Sequence, residues 1–119
     1  VEKFIVIGGK RLKGNVRVSG AKNAILPILA ASLLTKGISI IHEVPALLDV
    51  QVMKEVLTYL GARIKCDGST VTVDSSKVGS LEISEDLMRK MRASNLVMGP
   101  LLGRFGRVKA AYPGGCATL

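Results

Sequence analysis

A chain of 119 residues that is 48% hydrophobic and 22% charged has an ordinary globular composition, which excludes a disordered chain and fits one domain or part of one. With two Tyr, two Phe and no Trp, its core must be aliphatic. The net charge of +8 is uneven, +6 over residues 1–42, −4 over 43–86 and +6 over 87–119, so two basic segments are placed to attract an anionic ligand.

The first apolar run, Phe4-Ile5-Val6-Ile7, ends at Gly8-Gly9, and Asn15 to Ser19 alternates with period two. Both predict strands. From Ala24 to Leu34 the chain is apolar on nearly every side, with Asn23 as N-cap, Pro27 near the first turn and Lys36-Gly37 as the stop. That pattern predicts a buried helix.

Gly37 to Ile41 predicts a strand, and Pro45 a turn. Asp49 can cap a second helix, whose Val50, Met53, Val56, Leu57 and Leu60 recur at helical spacing before a stop at Gly61. Arg63–Cys66 and Thr70–Val73 flank Asp67-Gly68, a strong hairpin signal. Ser84-Glu85-Asp86 opens a third helix, its acids where the helix dipole favours them. This helix runs through Leu87, Met91 and Leu96 towards Leu102, bending near Gly99-Pro100. A last strand, Arg107 to Tyr112, leads into Pro113-Gly114-Gly115-Cys116. The fold class is mixed α/β, with Gly37 to Val73 forming a strand–helix–hairpin unit.

Nucleic acid is not the expected partner. No basic run exceeds two residues, aromatics for base stacking are few, and no nucleic-acid motif is present. The two cysteines form no CxxC or CxxH pair, and His42 stands alone as a satisfied structural histidine, so no metal site is expected. Neither GxGxxG nor Walker A spacing occurs. The N-terminal apolar run is too short for a signal peptide, and the longest one, near Ala24 to Leu34, is too short to span a bilayer. A soluble cytoplasmic protein is expected.

Four residues carry the chemistry. Cys116 follows two glycines that let backbone approach a ligand, which suits a reactive thiol, while a small buried hydrophobe is the alternative. Cys66 alternates with Ile64 in the hairpin and reads as a buried, structural and inert cysteine. Lys22 and Asn23 stand at a helix N-terminus, where anions are attracted; a lysine there is electrostatically misplaced unless an anion binds. Arg92 lies one turn from Arg89 on the predicted third helix, a solvated basic face on charge alone.

Gly20-Ala21-Lys22-Asn23-Ala24, Met91-Arg92-Ala93-Ser94, Gly99-Pro100-Leu101, Arg104-Phe105-Gly106 and Pro113-Gly114-Gly115-Cys116 together resemble, in order, the N-terminal part of the enolpyruvyl transferases that act on UDP-N-acetylglucosamine. The shikimate-pathway sibling shares the fold but lacks this cysteine loop. The resemblance implies a two-domain, inside-out α/β barrel of repeated strand–helix units. It implies transfer of the enolpyruvyl group from phosphoenolpyruvate to the 3-hydroxyl of UDP-N-acetylglucosamine, with no cofactor, in the bacterial cytoplasm. Lys22 would contact phosphoenolpyruvate, Asn23 would orient substrate, Arg92 would bind an anionic part of the ligands, and Cys116 would protonate the vinyl carbon. Where the family continues through an Ile-Gly pair to an Arg-Pro-Val-Asp stretch, this chain reads Ala117-Thr118-Leu119. The resemblance therefore implies a portion of a longer enzyme. Residues 1–20 would pair with its C-terminal half, and residues 21–119 would form an incomplete first domain that is inactive alone.

Overall fold

A computed structural model describes residues 2–83, 85–90 and 92–110. The elements are α1 (Lys22–Ala31), β1 (Ile38–Ile41), α2 (Leu48–Tyr59), β2 (Arg63–Asp67), β3 (Thr70–Asp74), β4 (Glu82–Ile83), α3 (Glu85–Lys90), a 3₁₀ helix (Arg92–Val97), α4 (Met98–Phe105) and β5 (Lys109–Ala110). The mixed α/β class is as the sequence predicts. A three-stranded antiparallel sheet has the order β1-β3-β2, and β4 pairs in parallel with β5.

The sheet is sided because its strands alternate. Val71 and Val73 of the central strand are buried towards the helices, while Ile38 and Ile40 lie opposite Asp74 and Thr72 on the outer face, 68% and 61% exposed. Against the inner face lies an aliphatic core in which Leu29, Leu33, Met53, Val56, Leu57, Leu60, Val73, Val97 and Leu101 have no solvent exposure. α1 packs on α2 and on the 3₁₀ helix, and α2 packs on β2. Truncating a buried leucine such as Leu57 to alanine costs about 2–5 kcal/mol.

α2 ends as its sequence dictates. Ala62 N–H bonds to Leu57 O and Gly61 N–H to Thr58 O, both at 3.0 Å, the paired closure of a Schellman motif. Gly61 has φ 104°, and a Cβ there would meet Lys77 O at 2.9 Å, so glycine is required twice over. The hairpin forms as predicted, but Asp67 pairs with Thr70, making Gly68-Ser69 the central turn residues rather than Asp67-Gly68.

Four expectations are corrected. Residues 2–20 contain no strand, and Phe4 and Ile7 are 97% and 92% exposed. A strand needs a neighbour to take its hydrogen bonds, and none of the described strands pairs with this segment. The N-cap of α1 is Ala21, not Asn23, and the helix ends at Ala31. That helix is buried on one side only, through Ile25, Leu26, Leu29 and Ala30, while Ile28 is half-exposed. The predicted third helix is three pieces, α3, the 3₁₀ helix and α4, with Pro100 in the first turn of α4, where its lack of an N–H costs no helical bond.

Candidate functional site

The N-termini of α1 and α2 come together, and a backbone contact sets their approach. Gly20 lies so close to the turn after β1 that an added Cβ would stand 2.5 Å from Glu43 O and 3.3 Å from the Pro45 ring. Glu43 itself has φ 56°, and Val44 N–H is tied to Ser69 O at 2.8 Å. Arg17 forms an ion pair with Glu43 on the surface beside this junction.

Lys22 and Asn23 are the first two residues of α1, both exposed. Ala21 adopts an extended conformation, no side chain caps the helix, and its first turn holds no acid. The end is therefore left with the positive potential of its N–H groups. Pro27, inside α1, has no N–H to give to the Asn23 carbonyl four residues earlier. Asn23 thus offers a side-chain amide and a carbonyl oxygen relieved of its helical partner. Lys22 is partnered: its ammonium forms an ion pair with Asp49, in the first turn of α2. The lysine that looks misplaced in the sequence is balanced by a carboxylate supplied from the neighbouring helix.

Arg92 begins the 3₁₀ helix, an element that packs on the helix of Lys22 and Asn23; its side chain lies outside the described part. Arg89 ends up on a different element, paired with Glu85 one turn earlier in α3, so the expected Arg89–Arg92 face on a single helix does not form. Cys116 lies outside the described residues.

Cys66 corrects another expectation. It is exposed rather than buried, with Lys54 Nζ at 3.6 Å from its Sγ. β2 is an edge strand, so alternation there did not guarantee burial. A cleft of ≈ 440 Å³ beside it is lined by Val44, Leu47, Gln51, Lys54 and Cys66, among others. His42 is exposed and satisfied by Thr70 Oγ1 at 3.2 Å, as a structural histidine should be.

Two features were not legible in the sequence. Asp49 reads there as a helix cap, yet the N-cap position of α2 falls on Leu47, no side chain caps the helix, and the carboxylate faces Lys22. Arg104 stands out there only within the Arg104-Phe105-Gly106 motif, yet its guanidinium gathers three carbonyl oxygens, those of Leu33, Thr35 and Ser75. Among the described residues no group of three His, Cys, Asp or Glu side chains could hold a metal ion, and no helix is long and apolar enough to cross a membrane.

UDP-N-acetylglucosamine 1-carboxyvinyltransferase of Desulfosudis oleivorans is 56% identical over 117 residues, 98% of this chain and 28% of that protein. The enzyme named UDP-N-acetylglucosamine 1-carboxyvinyltransferase 1 of Symbiobacterium thermophilum is 50% identical over 98% of this chain and 27% of its own. The chain thus spans little more than a quarter of these relatives. In three dimensions it is similar to the crystal structure of the enolpyruvyl transferase NikO from Streptomyces tendae, with TM-score 0.69 and 32% identity over 83% of this chain and 23% of that one. Because the family model described as EPSP synthase (3-phosphoshikimate 1-carboxyvinyltransferase) matches residues 6–118, this chain belongs to that family of enolpyruvyl transferases.

Proposed function

We propose that this chain works as the first portion of a transferase that moves the enolpyruvyl group of phosphoenolpyruvate to the 3-hydroxyl of UDP-N-acetylglucosamine, the first committed step of peptidoglycan synthesis, in the bacterial cytoplasm. The observation that carries the reading is the 56% identity, across nearly the whole chain, to a protein named for that reaction. Several relatives bearing that name favour the sugar-nucleotide acceptor over shikimate phosphate.

Each residue type suits its proposed task. Cys116 gives a proton to the vinyl carbon, the acceptor hydroxyl attacks the cationic carbon beside it while passing its own proton to a base in the remainder of the polypeptide, and a proton then leaves the new methyl group as the bond to phosphate breaks, which restores the vinyl group. Lys22 and Arg92 hold the phosphate and carboxylate of phosphoenolpyruvate or the anionic part of its co-substrate, and Asn23 orients substrate with its amide. The uncapped start of α1 adds to the attraction.

The remainder of a polypeptide of the relatives' length is the proposed partner of residues 2–20. Their exposed apolar side chains, together with Ile28, Ile38 and Ile40, make an unusual amount of apolar surface for a chain acting alone. These 119 residues by themselves are proposed to be inactive, because a transferase must hold both substrates in register.

The test is phosphate release from phosphoenolpyruvate by a polypeptide of the relatives' length carrying this segment. Release should require UDP-N-acetylglucosamine, fall strongly in Cys116→Ser and survive better in Cys116→Asp, which still carries a proton-donating acid. Release that needs no sugar nucleotide, or an unimpaired Cys116→Ser, defeats the reading. Equal loss in both variants would point to an obligatory sulfur nucleophile.

A further inference from the structure

Asp49 and Lys22 meet from two different helices, with side chains 38% and 53% exposed. Their positions are not equivalent. A carboxylate in the first turn of α2 is favoured by that helix's dipole, whereas an ammonium at the first position of α1 is opposed by its own. Asp49 is therefore well placed with or without the lysine. Lys22 finds no acid in the first turn of its own helix, and its ion-pair partner is Asp49. The nearby Glu43 is engaged by Arg17. The start of each helix is held relative to the other by the close approach of Gly20 to Glu43 and Pro45, so the carboxylate stands on a fixed base.

We propose that Asp49 is a positioning residue. Its carboxylate holds the flexible Lys22 side chain beside the uncapped first turn of α1, ready for the phosphate or carboxylate of an anionic substrate. Lysine carries several free torsions, and ordering them beforehand lowers what binding must spend on them. The inference rests on the reading of Lys22 as a substrate ligand. It opposes the simple charge argument, in which removing a carboxylate near an anion site strengthens anion binding.

The experiment uses the polypeptide of the relatives' length with Asp49→Asn, Asp49→Glu, Lys22→Gln and the double variant Asp49→Asn/Lys22→Gln, reading the KM for each substrate, kcat and the melting midpoint. Asp49→Asn should raise the KM for phosphoenolpyruvate about tenfold, a size ordinary for directly coupled residues, with the KM for UDP-N-acetylglucosamine unmoved. Asp49→Glu keeps the charge and should recover most of the loss. In the Lys22→Gln background, Asp49→Asn should change nothing further, because its effect passes through the lysine. A lowered or unchanged phosphoenolpyruvate KM in Asp49→Asn, or the same rise with Lys22 already replaced, overturns the inference. If Asp49→Asn lowers the melting midpoint, Asp49→Glu decides: a KM as poor as that of Asn in a fully stable protein also overturns it. A Lys22→Gln variant that binds phosphoenolpyruvate normally defeats the substrate-ligand reading itself, and the role of Asp49 with it.

Discussion

Arg104 donates to the carbonyl oxygen of Ser75 from both Nη1 and Nη2, each at 3.1 Å. The same Nη1 reaches Leu33 O at 3.0 Å and Thr35 O at 3.1 Å, and the guanidinium carbon lies 4.7 Å from the Phe105 ring centroid. Ser75, fully buried, gives its hydroxyl to Thr35 O and its N–H to Gly37 O. One cation on α4 thereby fastens the turn after α1 to the end of β3. α1, which carries Lys22 and Asn23, is locked to α4, which leads through β5 towards Cys116.

Replacing Arg104 by Met should therefore lower the unfolding free energy by about 2–4 kcal/mol, because three carbonyls lose charge-assisted donors. Arg104→Lys should recover only part, since a point charge cannot reproduce the planar fork. Urea titration measures both. A Met variant within about 0.5 kcal/mol of wild type, the range of ordinary surface changes, would show that the knot contributes little.

Two glycine-to-alanine changes should act in opposite directions. At Gly20 the new Cβ has no room against the Glu43 carbonyl, which is backbone and cannot step aside, so a loss of about 1–3 kcal/mol is expected. At Gly103, inside α4, the Cβ would meet only the Leu34 side chain at 3.6 Å, an ordinary contact. Alanine there should gain about 0.5–1 kcal/mol of helix propensity. Thermal melting of the two variants compares them directly.

Asp74 provides a pH signature. The Ser76 hydroxyl and backbone N–H, and then Arg63, hold its carboxyl below the ordinary aspartate value, at about 2. Arg63 Nη2 lies 2.9 Å from its Oδ2. A carboxyl depressed in the folded state adds stability above its unfolded pKa of about 3.9 and loses it as pH falls through the folded value. The stability gap between wild type and Asp74→Asn should be constant near neutrality and close between about pH 4 and pH 2. A gap unchanged across that window would mean that Asp74 acts through contacts the amide also makes.

Native-state alkylation addresses the thiols. Exposed beside Lys54, Cys66 should react with iodoacetamide in the folded protein, where a buried thiol would be protected. Cys116, proposed as the proton donor, should react faster still. Peptide mapping after a short pulse reads both sites, and a Cys66 left unmodified until denaturant is added would contradict its exposure.

Read alone, the sequence determined the aliphatic core, the mixed α/β class, the hairpin and the span of α2, because these follow from periodicity and from residues such as Gly61 whose backbone demands are local. It also placed Lys22 and Asn23 at a helix N-terminus, since Gly20 and the apolar run after it mark that boundary. Tertiary structure decided what depends on neighbours distant in the chain. A compact apolar run predicted a strand at Phe4–Ile7 and alternation one at Asn15–Ser19, but a strand exists only where another takes its hydrogen bonds. Periodicity buried Cys66, but position at the sheet edge exposed it. Above all, no local pattern says that Asp49 faces Lys22 or that Arg104 collects carbonyls from three distant residues. Those partnerships are set by how α1, α2 and α4 pack, and charge and hydrogen bonding act through space rather than along the chain.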